Sequence, residues 1–468
     1  MTSVSNEFVE IYFLNRNIKM KITPYYLLIF LMLTVSNTLT SQTVVLSKLF
    51  SKGMVLQRST EAPVWGTAPV GTVITISGSW NNTPIQTTAD SKGKFIAYLP
   101  TPAAGGPYTL TVNDIIIPEV LIGEVWFCSG QSNMNLPLGV SNATSYKNAN
   151  IRFFRTNVIS SSYPLDTLGG RWAHGDSINE ISVVSTVGYY FALRLYVSLN
   201  VPIGIVGAYQ GGTNAEEWIK PTIFDTLSST VKNAYILPTA TRTPGCLYNG
   251  MINPLLPYKV SGMIWYQGEN NATRYQTYST IIKAMVKGWR ADFKNDMLPF
   301  YLVQLPNYQA NNWCDFREIQ QEIAESLPNS GFATTIDVGE ETNIHPWNKM
   351  PIGNRLGDIA LAKVYGKPTT FSSPKFKSVQ VEGNAIRVFF NFADKGLKIN
   401  SGDSPQLFEI AGADDVYYPA KARIEGNTVL VWAEEVKVPV KTRYFWKNYA
   451  VPNLYSTDNY PVTPFRMK

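Results

Sequence analysis

The middle of the chain alternates between short apolar runs and longer segments whose apolar residues recur every three or four positions. The short runs have the length of strands and stop at glycine or polar residues, whereas the longer segments have the periodicity of helices that bury one face. Strands and helices in alternation favour a parallel sheet covered on both faces. The predicted strands are 125–128, 203–208, 263–266, 300–305 and 332–336. We therefore predict an α/β domain over residues 119–368.

Three helices are predicted within this region. The clearest carries a set of apolar residues on one face: Tyr278, Ile281, Ile282, Met285, Val286, Trp289 and Phe293. A second has Phe316, Ile319, Ile323 and Leu327 at helical spacing, and a third runs over 350–365 until Gly366 and Pro368 end it.

The flanking regions have the alternating pattern of strands. Residues 42–118 and 369–468 contain period-two runs separated by glycine and asparagine turns. Glu-Gly-Asn stands between two such runs at both 382–384 and 425–427, which favours tight hairpins. We predict a β-sandwich domain on each side of the α/β domain. The first would pack against the α/β domain, or alternatively bind glycan.

Residues 1–41 have the layout of a secretory signal peptide. Met20, a candidate start, and Lys21 precede the apolar run 25–35, and small polar residues follow up to Ser41, near the expected cleavage site. The apolar run is short for a membrane span, which makes an uncleaved anchor the second interpretation. We predict export, to the periplasm or outside the cell, without stable membrane insertion after cleavage.

Composition narrows the function classes. The 468 residues are 45% hydrophobic and 16% charged, as in folded proteins. The net charge of +6 is spread along the chain without basic blocks, so no nucleic-acid partner is expected. Three cysteines do not make a disulfide framework in a chain of this length. Pairing among them and the oligomeric state stay open.

Polar residues follow each predicted strand, at the sheet edge where α/β proteins form their sites. Ser132 comes after the run 125–128 and a glycine turn, which suits an exposed nucleophile whose own N–H stabilises an oxyanion. The segment is not a G-x-S-x-G elbow, because Met134 stands at the second glycine position. A glycine pair at 211–212 and the segment 267–271 follow two other strands.

A serine nucleophile needs a neighbouring base, and imidazole is the usual one. The chain has two histidines. His345 follows the last predicted strand, where a loop can carry it over Ser132, whereas His174 has no strand end beside it. We predict His345 as the base.

Five segments together resemble the sialate O-acetylesterase family of carbohydrate esterases, within the SGNH-hydrolase superfamily. They are GQSNM (130–134), GGTNAEEW (211–218), LYNGMINPL (247–255), WYQGENNA (265–272) and IHPWNKMPIGNRL (344–356). The resemblance extends to both flanking regions. It implies an SGNH-like three-layer αβα domain that removes O-acetyl groups from sugars through an acetyl-serine intermediate, with neither metal nor cofactor.

Carried onto this chain, the resemblance assigns Ser132 as nucleophile and His345 as base. The N–H groups of Ser132 and Gly211 (or Gly212) and the side-chain amide of Asn270 would form the oxyanion hole. SGNH hydrolases commonly have an aspartate three residues before the histidine, but Thr342 stands there.

The acid that orients His345 must then lie elsewhere. Glu269 is the first choice because it follows an adjacent strand, and Asp337 and Glu341 are the alternatives. Arg152 and Arg155 are candidates for contacting a substrate carboxylate, and the ordinary alternative is that both are solvated.

Other functions stay open at this stage. The expected substrate is O-acetylated sialic acid, with acetylated xylan or another hemicellulose as the alternative for the same mechanism. A non-catalytic glycan-binding protein on the same fold is a further alternative. A metal-dependent deacetylase would need clustered ligands that the sequence does not offer. A glycosidase with Glu269 and Asp337 as its carboxylate pair is a further class.

Overall fold

The computed structural model describes residues 44–140 and 145–467, together with two short strands near the N-terminus. Those strands, Val9–Glu10 and Lys21–Ile22, pair antiparallel within a first unit, Met1–Val44. The predicted signal peptide, 1–41, otherwise lies outside the described residues. Among the described residues, no helix is both long and apolar enough to cross a membrane.

The second unit, Val45–Lys468, is built around a seven-stranded run of sheet. In spatial order its strands are Gly170–His174, Ile151–Thr156, Ile203–Tyr209, Ile115–Gly130, Gly262–Tyr266, Phe300–Val303 and Ser330–Ala333. All neighbours are parallel except the first pair. The parallel α/β class is confirmed, and all five predicted strands are present. The two outer strands at 151–156 and 170–174 were not predicted.

Helices pack on both faces of this sheet, as successive residues of its central strand demonstrate. Trp126 packs edge-on against Phe191, at 5.0 Å between ring centroids, on one face. Phe127 packs at 5.7 Å against Trp289 on the other. A strand whose consecutive side chains are both buried needs a layer on each side.

The longer helices are Thr186–Leu199, Tyr275–Asp292, Trp313–Ser326 and Met350–Lys363. The last three confirm the predicted helices, and the first was missed. Shorter α-helices are Ser132–Asn135, Ile178–Ile181, Pro221–Phe224 and Ser229–Ala234. Helical turns of other types are Leu138–Val140, Ala215–Trp218, Tyr248–Ile252, Asn253–Leu255 and Glu269–Arg274.

The leading region is all β, as predicted. Val45–Leu46, Glu61–Thr67 and Lys94–Pro100 form one sheet. Val55–Gln57, Val73–Gly78, Asn81–Thr88 and Gly105–Val112 join the first half of Ile115–Gly130. That sixteen-residue strand therefore serves two sheets, since its second half is the centre of the parallel sheet. The predicted domain boundary between 118 and 119 falls inside it.

Glu124 ties this shared strand to both neighbouring regions. Its carboxylate accepts hydrogen bonds from Gln57 (3.0 Å) and Arg58 (2.5 Å) of the leading region. It also accepts from the hydroxyls of Ser261 (2.5 Å) and Tyr365 (2.9 Å), on the side of the parallel sheet. Because a buried carboxylate is tolerated only when it is paired and hydrogen-bonded, these contacts fix the strand in place.

The trailing region is also all β. Lys375–Glu382, Ala385–Asn391, Thr428–Trp432 and Lys421–Glu425 form one sheet. A second contains Tyr417–Pro419, Phe408–Ala411, Lys441–Tyr444 and Phe465–Arg466, and Leu397–Ile399 pairs with Leu454–Ser456. Both four-stranded sheets contribute to one apolar core. The two Glu-Gly-Asn segments form the predicted hairpins, with their glycines at φ of +64° and +65°.

Candidate active site

The parallel sheet presents Ser132 at the carboxyl end of its central strand. Gly130 stands at φ +140°, and a Cβ there would lie 2.1 Å from the carbonyl oxygen of Tyr266, so the turn requires glycine. The N–H of Gln131 then donates to that carbonyl, at 3.0 Å, and the chain enters the short helix Ser132–Asn135. Ser132 is the first residue of this helix, which leaves its N–H without an acceptor inside the helix.

His345 reaches Ser132 from the loop that follows the last strand of the sheet. Its Nε2 lies 2.8 Å from Oγ of Ser132. The loop is braced by Asn343, whose Oδ1 accepts from the N–H of His345 at 2.9 Å and whose Nδ2 donates to the carbonyl of His345 at 3.0 Å. Glu340 in turn accepts from Asn343 and from the N–H of Trp347. The structure thus brings the predicted serine and histidine together.

The residues predicted for the oxyanion hole lie beside the serine. Gly211 is adjacent, because a Cβ built on it would be 3.5 Å from that of Ser132. Asn270 donates through Nδ2 to the carbonyl of Gly212 at 2.9 Å, which leaves its second amide hydrogen without an acceptor among the described residues. Arg242 donates to the same carbonyl, also at 2.9 Å, and pairs with the buried carboxylate of Glu217. The side chains of Asn270 and Arg242 therefore fix the turn at Gly211 and Gly212.

Glu269, the first choice for orienting His345, does not contact the imidazole. Its Oε1 instead accepts a hydrogen bond from Nδ2 of Asn133 at 2.5 Å, because Asn133 stands between the two side chains. That same Nδ2 donates to the carbonyl of Ile344, at 3.0 Å, immediately before the histidine. Glu269 thus reaches His345 through an amide and a backbone carbonyl.

Neither alternative acid, Asp337 or Glu341, accepts a hydrogen bond from the ring among the described residues. Asp337 forms a two-pronged ion pair with Arg355, at 2.8 and 2.6 Å. In the part of the chain that the structure describes, no carboxylate accepts a hydrogen bond from Nδ1 of His345. The pKa of His345 is lowered by burial and, next, by the positive charge of Lys349. Both causes favour the neutral imidazole, which is the form that accepts a proton.

Lys349 and Asn133 were missed from the sequence. Lys349 is 1% exposed, and its Nζ donates to Oδ1 of Asn133 at 2.5 Å. Burial lowers its pKa to about 7, although the charges of Glu269 and Glu340 raise it. Burial likewise raises the pKa of Glu269, whose Oε2 has no hydrogen-bond partner among the described residues. Both missed residues stand inside segments of the family resemblance, but neither has a local signal that gives it a role.

The tryptophans near these segments differ in exposure. Trp218 and Trp313 are core residues, at 0% and 2% exposure, whereas Trp347 is 42% exposed two residues after His345. His174 lies elsewhere, with Nδ1 4.0 Å from the carboxylate of Glu119. All three cysteines are free. Within the described residues, no group of three or more histidine, cysteine or carboxylate side chains is arranged to hold a metal.

Comparison with known proteins agrees with this geometry. Residues 122–361, just over half of the chain, match the model of a family described as carbohydrate esterase, sialic acid-specific acetylesterase. The crystal structure of a carbohydrate acetylesterase from Xanthomonas citri is 35% identical, with a TM-score of 0.82, over 91% of this chain and all of the other. The chain belongs to the sialic acid-specific acetylesterase family.

Curated members of this acetylesterase family align over almost the whole chain. The mouse sialate O-acetylesterase is 26% identical, over 88% of this chain and 92% of its own length. The human sialate O-acetylesterase is 24% identical, over 88% and 90% respectively. The alignments therefore include the flanking β regions, and the family predicted from the five segments is confirmed.

Proposed function

We propose that this chain hydrolyses O-acetyl esters on sugars, with O-acetylated sialic acid as its substrate, through an acetyl-serine intermediate. The observation that carries the proposal is the 2.8 Å contact between Oγ of Ser132 and Nε2 of His345 at the carboxyl edge of a parallel sheet. This contact, together with the parallel sheet, supports an SGNH-type hydrolase domain of three αβα layers. Because the segment 1–41 resembles a secretory signal peptide, we expect the enzyme to act outside the cytoplasm.

The first half of the reaction acylates the serine. Oγ of Ser132 attacks the acetyl carbonyl carbon while Nε2 of His345 takes the hydroxyl proton. The carbonyl oxygen becomes an oxyanion held by the N–H groups of Ser132 and Gly211 and by Nδ2 of Asn270, each donor being worth about 3 kcal/mol of barrier. The tetrahedral intermediate collapses, the imidazolium gives its proton to the leaving sugar oxygen, and acetyl-Ser132 remains.

The second half repeats these steps with water. His345 takes a proton from a water molecule, whose oxygen attacks the acetyl-enzyme carbonyl and forms a second tetrahedral intermediate, with its oxyanion held by the same donors. Collapse breaks the bond to Oγ, returns the proton to Ser132 and releases acetate. No group other than water enters the cycle.

Acetate release from O-acetylated sialic acid, compared with release from acetylated xylan, tests the substrate assignment. We expect the larger kcat/KM on sialic acid, and no release from either substrate by Ser132→Ala. Faster turnover of xylan would move the assignment to plant polysaccharide and leave the mechanism intact. Wild-type enzyme that releases no acetate from either substrate would contradict the proposal.

The pH dependence offers a separate test of His345. The base must be neutral, so kcat/KM falls as pH drops through its pKa. Because burial and Lys349 lower that pKa, we expect activity to persist below the range in which an ordinary histidine, with a pKa of about 6.5, becomes protonated. Lys349→Met removes the positive charge, raises the pKa of His345 and moves the acid limb of the profile to higher pH. An acid limb that stays in place or moves down would contradict this role.

A further inference from the structure

Two arginines face each other at the edge of the sheet, near the nucleophile. Arg155 lies near the carboxyl end of the strand Ile151–Thr156, directly opposite Arg171 of the antiparallel strand Gly170–His174. Directly opposed residues share one face of a sheet, with Cβ atoms about 5 Å apart, and like charges in such a pair are destabilising. An anion between the two guanidinium groups would remove that repulsion.

The chain itself does not supply this anion. The guanidinium of Arg155 donates to the carbonyl of Val183 and to Oδ1 of Asn135, both at 3.1 Å, and lies 5.7 Å from the ring centroid of Tyr209. Across residues 44–140 and 145–467, neither Arg155 nor Arg171 has a carboxylate within 4.0 Å. Arg171 also borders a second cleft that contains acidic residues, but pairs with none of them.

Other arginines around the site are paired. Arg242, Arg274 and Arg355 each contact a carboxylate of this chain at 2.5 to 2.6 Å. These three arginines therefore have a structural role through their ion pairs. Arg155 and Arg171 instead keep N–H groups that no carboxylate of the described residues accepts.

The two arginines line one cleft. Its volume is about 460 Å³, and Phe153, Ala173, Val183 and Val184 form much of its apolar wall. This volume lies within the range of small-molecule sites, which combine apolar walls with a few polar groups that orient the ligand.

Asn135 connects this cleft to the nucleophile. It is the last residue of the helix Ser132–Asn135, so its backbone lies about one helical turn from that of Ser132. Its side-chain oxygen accepts the hydrogen bond from Arg155. The guanidinium of Arg155 is therefore one hydrogen bond away from the helix that carries Ser132, and Arg171 lies opposite Arg155 on the neighbouring strand.

We propose that Arg155 and Arg171 bind the carboxylate of an acidic acetylated sugar and so select it over a neutral one. This inference rests on the proposed esterase function and adds the two residues that select an acidic substrate. A guanidinium presents parallel N–H groups that match the two oxygens of a carboxylate. Sialic acid and hexuronic acids both offer that carboxylate beside a pyranose ring.

The test compares O-acetylated sialic acid with its carboxylate methyl ester, which keeps the acetyl group and loses the charge. Arg171→Met is the cleaner variant, because Arg171 does not contact the helix that carries Ser132. We expect Arg171→Met to lower kcat/KM on the free acid by about ten- to a hundredfold while turnover of the methyl ester stays near wild type. Arg155→Met, which also loses the hydrogen bond to Asn135, should lose more activity on the free acid than on the methyl ester. Arg155→Lys, which keeps the charge without the fork, should lose less than Arg155→Met.

Arg423→Met, on a hairpin of the trailing region, serves as the matched control and should leave both substrates unchanged. O-acetylated polygalacturonate, whose hexuronic acid units carry both the acetyl group and the carboxylate, is the second acidic substrate. A selective loss on one acid or the other identifies the sugar that supplies the carboxylate. Equal losses on the free acid and on its methyl ester, or no loss on any acidic substrate, would overturn the inference. Wild-type enzyme that hydrolyses none of these esters would instead refute the esterase function itself.

Discussion

Replacing Ser132 with alanine is expected to lower kcat for acetate release by about 10⁴-fold or more, the loss found when a serine nucleophile is removed. The substitution removes the oxygen that lies 2.8 Å from Nε2 of His345 and with it the acetyl-enzyme. The measurement is acetate release from an O-acetylated sugar under saturating substrate, together with mass spectrometry of the enzyme. Wild-type protein should gain an acetyl group at Ser132 during turnover, and the variant should gain none.

His345→Ala and the double variant are the matched controls. A nucleophile and its base act as one unit, so the double variant should be no slower than either single variant. Folding should be unaffected, because the hydroxyl of Ser132 contacts only the imidazole among side chains of the described residues. If the losses of the two single variants multiplied in the double variant, the two residues would act independently. That result, or near-normal turnover by Ser132→Ala, would contradict the mechanism.

Replacing Asn133 with alanine is expected to lower kcat by about 10²-fold, the scale of loss from an ångström of misplacement. Asn133 follows the nucleophile and donates to the carbonyl that precedes the base, so one amide sets the position of both. It also stands between the buried ammonium of Lys349 and the carboxylate of Glu269. Removal of the amide releases the carbonyl of Ile344 and takes one hydrogen-bond partner from each of the two buried groups.

The measurement is kcat alongside the free energy of unfolding for Asn133→Ala and Glu269→Gln. Glutamine keeps an oxygen that can accept from Nδ2 of Asn133, so Glu269→Gln should retain more activity than Asn133→Ala. If Glu269→Gln were the more damaging of the two, the charge of Glu269, and not its hydrogen bond, would be what the site needs. Asn133→Ala with turnover close to wild type would show that the amide does not position either residue.

Strands and helices with a single dominant pattern could be predicted from the sequence. The helix Tyr275–Asp292 buries Tyr278, Ile281 and Met285 on one face, and its periodicity is plain. The helix Thr186–Leu199 was missed because its own apolar residues are not confined to one face. Its consecutive residues Tyr189, Tyr190 and Phe191 are all buried, as is Val187. Without a polar face, a helix packed between other elements has no stripe to detect.

The part of the site that lies directly after the strands of the parallel sheet could be predicted from the sequence. Ser132 and His345 stand 213 positions apart, and the carboxyl edge of a parallel sheet is what unites them. The support behind the histidine was not predictable. The contacts that link Glu269 to Ile344 pass through the Asn133 side chain, and no spacing rule specifies which acid reaches which amide across a folded loop.

The strand Ile115–Gly130 makes the leading β region inseparable from the catalytic machinery. Its first half exchanges backbone hydrogen bonds with Gly105–Val112, and its far end delivers the serine. A truncated protein that began at residue 119 would cut this strand in two and present a bare edge where Val55–Gln57 now lies. If the leading β region were exchanged for that of a relative, the strand that leads to Ser132 would change its partners and shift. Substitutions in the leading β region and in the parallel-sheet domain are therefore expected to depend on one another.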